Sequence, residues 1–200
     1  MYFVSTGTGN TAAAVKIAVE EAKERNISHI AAASNTGATM FTLAEEAARQ
    51  AYKGKLVCVT HVYGFKENGK NEMSDEDREK LEKMGIRFFT GAHALTGAER
   101  AMSRKFQGVY PLEIIAHTLR MFGQGMKVCV EIAIMALDAG LLPFGKEIIS
   151  LGGTVRGADT VIVITPSYSS SIFDTKIHEV LCKPRIGNSQ ILESQIPDSK

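Results

Sequence analysis

The sequence has no tryptophan and only 7% aromatic residues, so the stacking platforms on which single-stranded nucleic acid is held are scarce. It also has no excess of charge. Twenty-three basic residues against 22 acidic ones leave a formal +1, which gives neither nucleic acid nor an anionic membrane an electrostatic grip. Cysteines are few, Cys58, Cys129 and Cys182, and no Cys-x-x-Cys pair occurs, which excludes a zinc ribbon and a dithiol redox motif. Each sits in an apolar run, as in Leu56-Val57-Cys58-Val59, so buried, reduced thiols in a reducing compartment are expected. No apolar run is long enough to span a bilayer: Val128 to Leu142 is interrupted by Glu131 and Asp138. Met1 to Ser5 has neither the basic start nor the apolar stretch of a signal peptide. The expected location is the cytoplasm.

What remains is ordinary and informative: 200 residues, 44% hydrophobic and 22% charged. That suffices for a packed core without staples. Short apolar runs alternate with helical periodicity. His29 to Ala33, Leu56 to Val59 and Ile86 to Phe89 read as strands. Thr11 to Arg25, with Asn10 as N-cap, and Gly37 to Tyr52 read as helices. Ser74 with three acidic residues behind it opens a charged helix, Thr96 and Glu99 have capping-box spacing, and Pro111 suits a first turn. Gly123-Gln124-Gly125 reads as a break before a buried helix from Lys127 to Ala139. Strands at Glu147 to Leu151 and Thr160 to Ile164 follow, with Val180 to Cys182 as an edge strand. This pattern predicts a three-layer α/β/α fold around a mostly parallel sheet. A single domain over residues 1–186 and a frayed polar tail over 187–200 are expected.

Parallel sheets bind ligands beyond the carboxyl ends of their strands. The residues there are expected to form one rim: Ser5 to Thr11, Ser34 to Thr39, Thr60-His61, Thr90 to His93, Gly152 to Thr154, and Thr165 to Ser167. Ser34 to Thr39 is the sharpest stretch. It leaves a strand and enters a helix, where free amide hydrogens and the positive helix end favour a phosphate. Gly37 admits close approach, and Ser34, Thr36 and Thr39 add hydroxyls. The competing reading is that Asn35 or Thr36 merely caps the helix. Thr6, Gly7, Asn10 and Thr11 repeat this form in the first loop, without the Gly-Lys-Ser/Thr ending of a P-loop. His61 and His93 are candidates for lining the site. Glu131 and Asp138 share a helix face and call for partners, with Arg100, Arg104 or Arg156 as candidates.

The segment Thr11 to Thr60 resembles the C-terminal α/β domain of pyruvate kinases, in which a Ser/Thr-rich loop holds a sugar-phosphate effector in some members. Ser34, Thr36, Gly37 and Thr39 match that loop, and Asn35 departs from it. Over a longer stretch the chain resembles a group of stand-alone proteins of this fold associated with flavin mononucleotide (FMN). The stretches carrying that likeness are Thr60-His61-Val62-Tyr63-Gly64-Phe65, His93 to Arg100, Lys127 to Ile132 and Gly152 to Thr160. The resemblance implies an FMN site, with phosphate at Ser34 to Thr39, the ring near His61 and His93, and Thr60 and Gly64 among the cofactor-binding residues. A pyruvate kinase reaction is not expected, because 200 residues are too few for the catalytic barrel. The expected partner is a phosphorylated small molecule, bound by a flavin oxidoreductase or by a regulatory effector module. Whether the chain forms a homo-oligomer is left open.

Overall fold

The computed structural model describes residues 1–185; the expected tail over 187–200 lies outside the described residues. The elements follow in the order β1 (Tyr2–Phe3), α1 (Thr11–Glu24), β2 (His29–Ala33), α2 (Ala38–Arg49), β3 (Lys55–Thr60), α3 (Asp75–Lys83), β4 (Arg87–Thr90), α4 (Gly97–Phe106), α5 (Pro111–Arg120), α6 (Gln124–Asp138), β5 (Ile148–Gly152), β6 (Thr160–Thr165) and β7 (Lys176–Pro184). The strands form one sheet in the order β1-β7-β6-β5-β2-β3-β4. Strands β5, β2, β3 and β4 run parallel, as do β7 and β1, while β6 is antiparallel to both its neighbours.

Alternation along the strands divides the core into two layers. On one face Ile30, Ala32, Cys58 and Leu151 pack beneath Ala14 and Ala18 of α1 and Met40 and Leu43 of α2. On the other, Ala31, Val57, Ile148, Ile162 and Ile164 pack against Cys129, Ala133 and Ala136 of α6. Twelve of the fifteen residues of α6 are buried, because the sheet covers one side of this helix and α5 another. The three cysteines are free and buried, and burial pushes the Cys58 and Cys182 thiols up to about 12.

Two local expectations need correction and a third is extended. Gly125 lies inside α6, where the sequence suggested a break. A Cβ there would sit 2.1 Å from Thr160 Oγ1 and 2.8 Å from Asp159 Oδ1, so this glycine lets α6 close onto β6. The Thr96–Glu99 capping box does not form. Thr96 makes no side-chain cap and has φ −142°, ψ −34°, while Leu95 N–H donates to Glu131 and Gly97 N–H to the His93 carbonyl. The turn is thus tied down by α6 instead of by its own helix. Residues Val180 to Cys182 do form a strand, as part of the longer β7 (Lys176–Pro184), beside which the two-residue β1 pairs only with Lys183 and Pro184. Replacing Gly125 with Ala is expected to destabilise the fold by about 1–3 kcal/mol, through overpacking at a rigid contact. Urea denaturation checks this, with a lower midpoint and an unchanged slope as the expected result.

Candidate functional site

The carboxyl ends of β5, β2, β3 and β4 lie side by side, and a cleft of about 1570 Å³ opens above them. One expected member of the rim is elsewhere. Thr165 to Ser167 follow β6, which runs antiparallel, so they emerge at the opposite edge of the sheet. Of the residues singled out in the sequence, Thr6, Thr11, Ser34, Asn35, Thr36, Thr39, Thr60, His61 and His93 line the cleft. Gly7, Asn10, Gly37 and Gly64 do not.

The turn between β2 and α2 is built by Ser34 and Gly37. Ser34 N–H donates to the Val59 carbonyl, and Ser34 Oγ accepts the Met40 amide at 3.2 Å. Neither Asn35 nor Thr36 caps the helix. Gly37 has φ 89°, a left-handed conformation that a side chain would strain. The amide hydrogens of Thr36, Gly37, Ala38 and Thr39 have no protein acceptor among the described residues. They are the orphan donors of a helix start, and the α2 dipole adds partial positive charge. Asn35 is committed elsewhere. Its Oδ1 accepts the His61 amide at 2.9 Å, which turns its Nδ2 toward His61 Nε2 at 3.0 Å.

That contact fixes the His61 tautomer. Nε2 accepts from Asn35, so Nδ1 carries the proton and donates to Glu72 Oε1 at 2.7 Å. Burial holds the imidazole pKa below its ordinary value despite the carboxylate beside it. Glu72 also takes ion pairs from Lys66 at 3.1 Å and Arg156 at 3.2 Å. Burial works to raise the Glu72 carboxyl, but hydrogen bonds from His61 and Lys66 outweigh it and leave it below the usual range. Glu72 therefore ties the end of β3, the loop after it and the turn after β5 into one wall. Phe65 and His93 join His61 in a ring cluster with centroids 3.7 to 5.8 Å apart.

The first loop is held by a residue the sequence did not single out for chemistry. Asp159 is fully buried; its Oδ2 accepts from the amides of Gly7 and Thr154, and its Oδ1 from Thr160 Oγ1. Thr11 Oγ1 accepts the Ala158 amide at 3.0 Å. Asn10 donates to the Ser5 carbonyl and does not cap α1 with its side chain. Thr60 shares a hydrogen bond with Thr90, and Gly64 N–H donates to the Lys70 carbonyl. Gly7, Asn10, Thr11, Thr60 and Gly64 thus shape walls and loops, whereas Ser34 to Thr39 presents free donors. On the rim of the turn after β5, Val155 has φ 62°, a strained conformation for a β-branched residue.

The floor is formed by Lys127 and Glu131, one turn apart on α6 and both nearly fully buried. They pair with each other, and Glu131 Oε1 accepts the Leu95 amide at 2.9 Å. The arginines proposed for Glu131 are not its partners: Arg156 pairs with Glu72, and Asp138 accepts the Ser169 amide. The spacing Lys-x-x-x-Glu inside an apolar helix was the available signal for this pair. Five cationic side chains, Lys66, Arg100, Arg120, Lys127 and Arg156, line the cleft against three carboxylates, Glu72, Glu113 and Glu131. With His61 and His93 neutral, the cleft favours an anion.

The family model described as pyruvate kinase, alpha/beta domain, matches residues 12–164. The chain belongs to that family. Crystal structures of Cryptosporidium parvum pyruvate kinase are similar at 13% identity: one covers 78% of this chain with a TM-score of 0.38, and one in complex with ADP covers 88%, also at 0.38. The chain spans about a quarter of the length of those enzymes, 23% and 24% of each. Among the described residues of this pyruvate kinase α/β domain, no helix is long and apolar enough to cross a membrane. No group of three His, Cys, Asp or Glu side chains among them could hold a metal ion.

His93 gives the site a pH signature. Burial lowers its pKa from 6.5 to about 4, with Lys127, His61 and Arg100 adding repulsion and Glu131 opposing it. The unfolded chain therefore binds a proton in this range that the folded chain does not. This contribution to stability is present above about pH 6.5 and is lost as pH falls through about 4. Thermal melts from pH 7 to pH 4 are expected to fall less steeply for His93→Gln than for the wild type.

Proposed function

We propose that the protein binds a phosphorylated small molecule across the carboxyl edge of its sheet, and that this ligand is FMN. The observation that carries the proposal is the turn Ser34 to Thr39. It offers four amide hydrogens without protein acceptors, a left-handed glycine and the Thr36 and Thr39 hydroxyls at a helix start. The net positive lining of the cleft supports an anion, and the exposed Phe65 ring beside two neutral imidazoles supports an aromatic group. The residues present fit the two ends of FMN. Ser34 to Thr39 would hold its phosphate, and Phe65, His61 and His93 would border its ring. When bound, a flavin supplies hydride and electron transfer, chemistry that belongs to the cofactor. The free, buried cysteines favour a cytoplasmic setting for this role.

Family membership supports a second reading, a sugar-phosphate effector module that signals to a partner protein. Protein purified without added cofactor separates the two. A flavin spectrum, or thermal stabilisation by FMN, supports the first; stabilisation by glucose 6-phosphate but not by FMN supports the second. Thr39→Ala is expected to weaken FMN binding by about 1–3 kcal/mol, measured by fluorescence titration. Cys58→Ala, whose thiol faces the Ser34 carbonyl from within the core, is expected to leave that affinity unchanged.

A further inference from the structure

The Lys127–Glu131 pair stands out because two charges are buried together in an otherwise apolar helix. Paired charges buried in a helix are often no more stable than apolar residues of the same size. Here the pair lies where α6 meets the cleft, and its chemistry is unfinished. Glu131 is satisfied: one oxygen accepts from Lys127 and the other from the Leu95 amide. Lys127 is not. Its ammonium group has three hydrogens; Glu131 accepts one, and among the described residues no other protein atom accepts the remaining two. The side chain is 4% exposed and borders the cleft. Arg100 and Arg120 lie near enough to repel its charge. A buried ammonium group with two idle donors facing a cavity calls for an acceptor supplied from outside the chain.

We propose that Lys127 is a second recognition point in the cleft, one that binds a planar acceptor oxygen at the non-phosphate end of the ligand. Resting on the reading of Ser34 to Thr39 as the phosphate turn, this defines the ligand class by its two ends. One is a phosphate monoester. The other is a carboxylate or an imide carbonyl, each of which presents an oxygen to an ammonium donor. Glu131 positions the Lys127 ammonium and is in turn oriented by the Leu95 amide. Its carboxylate also repels any second negative group that comes too close, which favours a ligand that presents an acceptor edge to Lys127 alone.

The test is a set of binding titrations on the full chain with FMN, riboflavin and 3-phosphoglycerate. Lys127→Met alone would leave Glu131 buried without its cation. The main variant is therefore Lys127→Met with Glu131→Gln, which removes both charges and keeps an acceptor for Leu95. Lys127→Gln, which keeps a donor facing Glu131, is the second variant, and melting curves check that both fold. The proposal expects the double variant to bind riboflavin and FMN about ten-fold more weakly, with the ratio of the two dissociation constants unchanged because the phosphate turn is intact. The same loss with 3-phosphoglycerate alone identifies the carboxylate as the acceptor. Wild-type affinity of both variants for every probe that the wild type binds would overturn the role of Lys127 and leave the phosphate turn standing. Equal wild-type affinities for FMN and riboflavin, still dependent on Lys127, would overturn the phosphate turn and leave Lys127 standing. No binding of any probe to the wild type would overturn both.

Discussion

Four parallel strands, β5, β2, β3 and β4, end at the same level, and the site depends on that alignment. A parallel register places every carboxyl end on one edge, so the loops leaving those ends converge whether or not they are near in sequence. The loop after β2 delivers unpaired amide hydrogens, the loop after β3 delivers His61 and Phe65, the loop after β4 delivers His93, and the turn after β5 delivers Arg156. Helix α6 seals the other side with Lys127 and Glu131. Misaligning any one of these strands by one residue would flip its apolar set off the core, so packing and site geometry are enforced together.

Electrostatics then divides the cleft. At its mouth Glu72 gathers His61, Lys66 and Arg156 into one wall, which keeps His61 oriented, while burial keeps it neutral. At its floor Glu131 holds Lys127. Each carboxylate is neutralised by protein cations, so neither repels an incoming anion at full strength. The rings of His61, His93 and Phe65 occupy the space between. Asp159 acts on the backbone instead. It binds amides of two loops that are distant in sequence and fixes the boundary of the cleft beside α1.

The parts of this arrangement that were legible in the sequence are local ones. Strand β2, helix α2 and the turn between them show themselves by period, by hydroxyls and by a glycine placed where the backbone must turn left-handed. The acidic first turn after Ser74 is borne out by the Ser74 cap on Asp77. What was not legible is non-local. Strand direction leaves no mark in the hydropathy of Thr160 to Ile164; the signal was the connection from Gly152 to Thr160, too short for a parallel crossover, which makes β6 antiparallel and carries its loop away from the rim. The pairing of Glu72 with Arg156 spans 84 residues. Gly125 looked like a break because its reason for being glycine is the contact with Thr160 across the fold. The Thr96 and Glu99 spacing misled for the same cause: the Leu95 amide finds Glu131 on another helix before a local cap can form.

The central claim is that the turn from Ser34 to Thr39 holds a phosphate through its free amide hydrogens. Amide-resolved NMR of the labelled protein during titration with FMN tests it most directly. The account predicts that the N–H resonances of Thr36, Gly37, Ala38 and Thr39 move strongly downfield and saturate together, and that riboflavin leaves them nearly in place. Saturable FMN binding with those four resonances unmoved would contradict it.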